Sequence, residues 1–292
     1  LIREIDPELT IYYCIDDLAS SSPQAKRIRR SETKLFREAD LVFVTSEKLR
    51  QRAAQVNPRV HFFPFGVDFE KFEQIRNESD EIPTELKSLP RPIIGYVGGI
   101  HQWLDQDLLS TVAARLPQAN FVLVGPAQTD VSRLARRPNI HLLHARPHSE
   151  LPRYIKGFDV GIISYRLSEY TDHVYPTKLN EYLAMGIPVV ATDLPEIRRF
   201  NQEHGGVVAV ARGAEEFAKA VQQALGQSHP DLVSRRIEVA RQNSWASRIA
   251  NMSTLIEARL TARRAEGQRW EASLRRLYRL ARRQASRVVL GS

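Results

Sequence analysis

A single cysteine, Cys14, in 292 residues excludes an intramolecular disulfide, and no grouping of Cys and His has the spacing of a zinc site. Cys14 lies in the apolar run 11–15, IYYCI, where a small core residue is expected rather than a nucleophile. No apolar stretch approaches the ~20 residues of a membrane-spanning helix, and the chain opens without a signal-like pattern. A cytoplasmic protein is therefore expected. Two nucleotide-binding signatures are missing as well. Gly95, Gly98 and Gly99 have the wrong spacing for a G-x-G-x-x-G loop, and no phosphate loop ending in Gly-Lys-Ser/Thr occurs. Lysine is absent from residues 259–292, which hold ten arginines and two acids, Glu266 and Glu271. That tail carries a net charge of +8, equal to that of the whole chain, so residues 1–258 are formally neutral. The high isoelectric point describes an appendage and not the body.

What is present is concentrated in residues 175–196, YPTKLNEYLAMGIPVVATDLPE. Pro176 suits the first turn of a helix, and Lys178 and Glu181 then lie three apart on neighbouring parts of one face. Free N–H groups at a helix start, with Lys178 beside them, attract a phosphate. Glu181, almost one turn deeper, can accept hydrogen bonds from sugar hydroxyls. Gly186 ends the helix, and the β-branched run 187–191 reads as a parallel strand covered on both faces. A sugar nucleotide suits this arrangement; a well-packed βαβ segment with surface charges is the plain alternative.

The order P-T-K-x-x-E-Y-x-A-x-G-x-P-V-V at 176–190 resembles the retaining nucleotide-sugar glycosyltransferases of glycosyltransferase family 4, which have the GT-B fold. The resemblance extends over roughly residues 10–255 and implies an α/β chain of two Rossmann-like domains facing a cleft. It also implies that Lys178 contacts the donor diphosphate and Glu181 the ribose. Pro176 and Thr177 belong to the same donor-binding motif. The acidic residue usual eight positions before the second Glu is His173 here, and Glu169 takes its place as the donor-sugar contact, with His173 as a further candidate. Gly98 and Gly99, followed by I-H-Q-W-L-D, resemble the donor-facing loop, in a version that points to bacterial surface polysaccharides. Arg146, after the strand 140–143, falls where the family presents a loop near the base; a plain surface loop is equally open. Asp16 and Asp17 follow the strand 10–15 about where relatives place a histidine touching the donor sugar, and are the catalytic candidates. Helix capping is their bland alternative, and adjacent acids point apart, so at most one is expected to reach a given substrate atom. Retaining members usually lack an obvious protein nucleophile, so positioning and stabilisation of the departing diphosphate carry the expected chemistry. No metal and no cofactor are expected, the nucleoside diphosphate sugar being a co-substrate. Asp105-Gln106-Asp107 reads as a helix start and not as a metal-binding D-x-D.

Along the chain, apolar runs alternate with helical patterns. Strands are expected at 10–15, 40–45 and 59–63, with helices at 23–39 and 46–55 between them. These make an incomplete first domain, because a full one needs a glycine-rich opening strand and further βα units, and an exposed sheet edge follows. The turn Phe65-Gly66-Val67-Asp68 resembles the family's exit from that domain, with a polar linker at 73–92. The second domain is expected to hold strands at 93–97, 120–124, 140–143, 159–163, 187–191 and 207–210. Its helices are expected at 104–116, 149–157, 177–185, 214–225 and 230–243. The domains are thus 1–90 with the linker, 91–243, and C-terminal helices over 244–292.

In the tail, Trp270, Leu274, Leu277, Ala281, Ala285 and Val288 follow a helical stripe among arginines. Such a helix can lie on anionic lipid at the inner face of the membrane, remain solvated, or dock back on the first domain; no nucleic-acid partner is expected. Two function classes stay open. One is a glycosyltransferase moving a hexose-like unit from a nucleoside diphosphate sugar to a glycan or lipid-linked acceptor; the other is a non-catalytic nucleotide-sugar-binding or scaffold protein.

Overall fold

A computed structural model describes residues 7–20, 22–78 and 82–289. It contains two parallel sheets, as the alternating βα pattern requires. The first has the order β1 (Ile11–Cys14), β2 (Leu41–Val44), β3 (Val60–Phe62), with α1 (Ala25–Glu38) and α2 (Glu47–Ala54) as crossovers. β2 is buried along its whole length, while β1 forms an edge and leaves Ile11 38% exposed. The second sheet has the order β6-β5-β4-β7-β8-β9, all parallel: β4 (Ile93–Val97), β5 (Asn120–Val124), β6 (Ile140–Leu143), β7 (Val160–Ile163), β8 (Val189–Thr192) and β9 (Val208–Ala211). Strand order reverses between β4 and β7. Ligands of open α/β sheets bind outside the strand ends at such a switch point, which here faces the residues after Val97 and Ile163.

Helices α3 (Phe69–Asn77) and α4 (Thr84–Lys87) occupy much of the expected linker. Phe69, Phe72 and Leu86 join the core under the second sheet, so this stretch packs with the second sheet. The second domain continues with α5 (Gln106–Arg115), α6 (Ser132–Ala135), α7 (Leu151–Lys156), α8 (Lys178–Ala184), α9 (Pro195–His204), α10 (Gly213–Leu225) and α11 (Pro230–Gln242). Of these, α6 and α9 lie where no helix was expected. Asp105 caps α5 by accepting from the Leu108 amide at 3.0 Å, and Asp107 pairs with Arg133 and Arg166. Cys14 is buried and its thiol is pushed up to about 12, first by desolvation and then by Glu32, which suits a core residue.

The C-terminal region is one 45-residue helix, α12 (Trp245–Val289), roughly 68 Å long at 1.5 Å per residue. It leaves the second domain and packs Met252, Leu255 and Ile256 on Leu41, Phe43 and Phe63 of the first. Arg259 and Arg263 pair with Asp40, and Arg264 with Glu8. The first arginines of the tail therefore dock on the first domain. Further along, Trp270, Leu274 and Leu277 are exposed; the side chains of Ala281, Ala285 and Val288 lie outside the described residues.

The two domains also touch through α2. Glu196 of α9 accepts from the Glu47 amide at 2.7 Å, and Lys48 pairs with Asp172 at 2.6 Å. The Arg199 guanidinium lies 3.5 Å from the Phe62 ring centroid.

Candidate functional site

Beyond Val97 the chain turns through Gly98 at φ +121°, a conformation that side chains disfavour, and its amide bonds to the Val124 carbonyl at 2.9 Å. Gly125 after β5 is required for the same turn, because a Cβ there would lie 2.1 Å from the Gly98 oxygen. Against Gly98 stands the Lys178 ammonium, 3.5 Å from where a Gly98 Cβ would be.

Lys178 is not the solvated helix lysine of ordinary surfaces; it is 6% exposed. Its Nζ donates to the Tyr165 hydroxyl at 2.5 Å and lies 4.8 Å from the ring centroids of both Tyr96 and Tyr165. Burial disfavours the charge, but Tyr165, Tyr96 and Glu181 more than offset it and hold the ammonium above the usual lysine range. Its hydrogen bond goes to a phenol, and among the described residues no carboxylate forms an ion pair with it. Helix α8 behind it is only seven residues long, and the Leu179 amide already bonds to the Pro176 carbonyl at 3.1 Å. Pro176 precedes the N-cap Thr177 instead of entering the first turn. The positive character of this end thus comes from the lysine more than from a helix dipole.

Glu181, three residues on, keeps its side chain 13% exposed and bonds to His148 Nε2 at 3.1 Å. That hydrogen bond, against the opposing effect of burial, raises the His148 pKa above its ordinary value. Gly98, Thr177, Lys178, Glu181 and His148 line one cavity of about 330 Å³ together with the turn Phe65-Gly66-Val67-Asp68 and Trp245. Asn180 holds the turn by donating to the Phe65 carbonyl at 3.0 Å, and the Trp245 amide donates to the Val67 carbonyl at 2.9 Å. A Cβ on Gly66 would sit 2.7 Å from the Trp245 nitrogen, so only glycine lets the turn meet the start of α12. The cavity is within the size range of small-ligand sites.

The sequence placed Lys178, Glu181, Gly98 and Thr177 in one site, and the fold brings them together. It does not bring Arg146 there: the guanidinium donates to Tyr154 at 2.6 Å and to Glu85 at 2.8 Å. His148, two residues later, is the side chain of that loop that reaches the cavity. Gly99 turns toward His101, whose Nε2 would lie 2.6 Å from a Cβ there. Glu169 is exposed, and its carbonyl bonds His173 Nδ1 at 2.7 Å. His173 faces the first domain, 3.9 Å from Asp17 Oδ2. Asp17 itself is 1% exposed and paired with Arg52 at 3.0 Å, with Arg29 at 3.8 Å beyond, and burial is more than offset by these partners, so its pKa is lowered. It is neither a helix cap nor an open catalytic acid. Asp16 is the more accessible of the two; its Oδ1 accepts from the Asp17 amide at 2.8 Å and its Oδ2 meets the Tyr170 hydroxyl at 3.4 Å. His148, Trp245 and the 65–68 turn were not read as site residues. A charged turn after a strand was the one available signal.

Residues 91–227 match the family described as glycosyl transferases group 1. TuaH of Bacillus subtilis, whose name assigns it to teichuronic acid biosynthesis as a glycosyltransferase, is 29% identical over 229 residues, covering 75% of this chain and 57% of that protein. TuaC of the same organism, named for the same process, is 24% identical over 189 residues, 63% of this chain and 46% of its own length. The chain spans about half the length of these curated relatives. Among solved structures, Anabaena HepE in complex with UDP superposes with a TM-score of 0.68 at 16% identity, over 85% of this chain and 72% of that one. Sucrose-phosphate synthase of Thermosynechococcus elongatus gives 0.65 at 20% identity, over 86% and 68%. At such identities the superpositions speak for the fold. Residues 91–227 are thus similar to the group 1 glycosyl transferases, and the chain has the fold of these solved structures.

Proposed function

We propose that this chain belongs to a glycosyltransferase that moves a sugar from a nucleoside diphosphate sugar to a glycan or lipid-linked acceptor in surface polysaccharide biosynthesis. The observation that carries the reading is the Lys178 ammonium, buried between two phenol rings, facing a cavity and, among the described residues, in no ion pair with a carboxylate. A buried cation lacking a counter-ion is costly, and a diphosphate supplies the missing charge. The same contact stabilises the charge that develops on the departing diphosphate, which is the main demand of a reaction without a protein nucleophile. Glu181 takes the ribose hydroxyls, with His148 steadying its carboxylate. The names of TuaH and TuaC, and the UDP held by HepE, support this substrate class. Asp16, Glu169 and His173 lie in the loops that flank the cleft and are the candidates for contact with the transferred sugar.

A peripheral position at the inner face of an anionic membrane follows as a second part of the proposal. Trp270, Leu274 and Leu277 are exposed at helical spacing, beside Arg275 and Arg276. Among the described residues no helix is long and apolar enough to cross a membrane. Sedimentation with anionic vesicles, with and without residues 259–292, tests this; equal binding removes it.

Calorimetry with UDP, GDP, ADP and dTDP tests the donor site. One of them is expected to bind, with affinity about 30- to 100-fold weaker in Lys178→Met, a loss of about 2–3 kcal/mol. Undiminished affinity refutes the site. Turnover of the matching sugar nucleotide then separates a transferase from a binding scaffold.

A further inference from the structure

A second cavity, of about 400 Å³, opens beside the donor site at the same end of the sheets. Its wall is aromatic. The His101 and Trp103 rings stack at 3.9 Å and 21°, and Trp103 meets Tyr170 at 5.2 Å and 39°. The ladder is fixed at its base, because Trp103 packs on the main core and its carbonyl accepts the Arg166 amide at 2.8 Å. Around it stand Ser20, Gln102 and Ser168, all exposed and rich in hydrogen-bonding atoms, together with Arg166. Arg166 lies 3.6 Å from Asp107, but Asp107 also pairs with Arg133. Asp107 is thus shared by two guanidinium groups, and Arg166, the looser of its two partners, is the charged side chain that lines the cavity.

The aromatic wall of this cavity touches both domains. His101 closes against Gly99 of the donor loop, and the Tyr170 hydroxyl reaches Asp16 of the first domain. Burial, and then the Lys178 charge, lower the His101 pKa, so at neutral pH its ring is an uncharged flat face.

Resting on the glycosyltransferase reading above, we infer that the Trp103 cavity is the acceptor subsite and that it takes a carboxylate-bearing pyranose, stacked on Trp103 and paired with Arg166. A sugar ring offers a flat C–H face to an indole and hydroxyls to Ser20, Gln102 and Ser168. Guanidinium binds a carboxylate through two parallel hydrogen bonds, which a neutral hexose cannot supply.

The test uses the full chain and a tetrasaccharide of alternating glucuronic acid and N-acetylglucosamine, with its carboxyl-reduced counterpart as control. The acidic tetrasaccharide is expected to bind, with affinity at least about tenfold weaker in Trp103→Ala and about tenfold weaker in Arg166→Gln. The reduced tetrasaccharide is expected to bind more weakly and to be indifferent to Arg166→Gln. UDP or GDP affinity is expected to stay within about twofold of the parent in both variants. Arg166 is exposed, so its variant reports even where Trp103→Ala fails to fold. No binding of the acidic tetrasaccharide by the parent, equal affinity for the two tetrasaccharides, or an unchanged affinity in Arg166→Gln overturns the inference. Saccharide binding without nucleotide binding leaves this subsite standing and removes the donor site instead.

Discussion

Two buried ionic centres lie in opposite domains, and they are built on different plans. On the first domain, Asp17 and Glu32 are buried, and Arg52 pairs with both while Arg29 stands by Asp17. On the second, Lys178 is equally buried but its close neighbours are phenol rings. A buried charge whose partners come from its own fold is satisfied and needs nothing more. One without a counter-ion is left in need of an anion. The contrast separates Asp17, which is held by arginines of its own domain, from Asp16, which is outside that cluster, and marks Lys178 as the position that demands a ligand.

The largest effect that can break this contrast is on stability. Asp17→Ala leaves Arg52 with only Glu32 and is expected to cost about 3 kcal/mol in denaturant unfolding, because one partner of a buried pair is removed. A loss below about 1 kcal/mol, with impaired nucleotide binding, makes Asp17 a site residue instead. Next comes Glu196, buried where α9 meets α2, its carboxyl raised to about 7 by desolvation against the Glu47 amide. The folded state holds a proton there that the unfolded chain has already released. Stability from this group is therefore complete only below the ordinary carboxylate range and is lost progressively as pH rises from there through about 7. Glu196→Gln is expected to flatten that slope and to stabilise the protein by about 2 kcal/mol at pH 8; an unchanged slope between pH 5.5 and 8 contradicts the assignment.

The smallest effect sharpens the comparison at the donor side. His148 gains from its bond to Glu181, so its contribution is complete below its ordinary pKa and fades as pH rises through the raised value. The imidazole is 63% exposed, and screening reduces the stability contribution to a few tenths of a kcal/mol. His148→Ala is therefore expected to leave unfolding almost unchanged while weakening nucleotide binding about threefold, through a less restrained Glu181. Equal binding in the two proteins removes His148 from the site.

The second sheet was legible strand by strand, because runs such as IIGYV and NFVLV are apolar throughout and covered on both faces. Helix α9 was not, since PEIRRFNQEH buries only Glu196, Ile197 and Phe200 and offers few apolar residues among its charges. The later part of helix α3, from residue 73, was taken for a linker for a similar reason: Phe69, Phe72 and Ile75 are its buried residues among charges. At the site, the motif around Lys178 and Glu181 was readable from spacing. The tyrosines that bury Lys178 were not, because Tyr96 and Tyr165 come from two other strand ends. Arg146 illustrates the limit most clearly. Its loop was placed correctly after β6, yet the direction of its side chain depends on Glu85, 61 residues away in sequence.

The most direct measurement is a crystal structure of the complex with UDP, or with whichever nucleoside diphosphate calorimetry selects. The account predicts a phosphate oxygen within hydrogen-bonding reach of Lys178 Nζ and the ribose hydroxyls on Glu181. A nucleotide bound elsewhere, or a Lys178 still facing only Tyr96 and Tyr165 in the occupied protein, contradicts it.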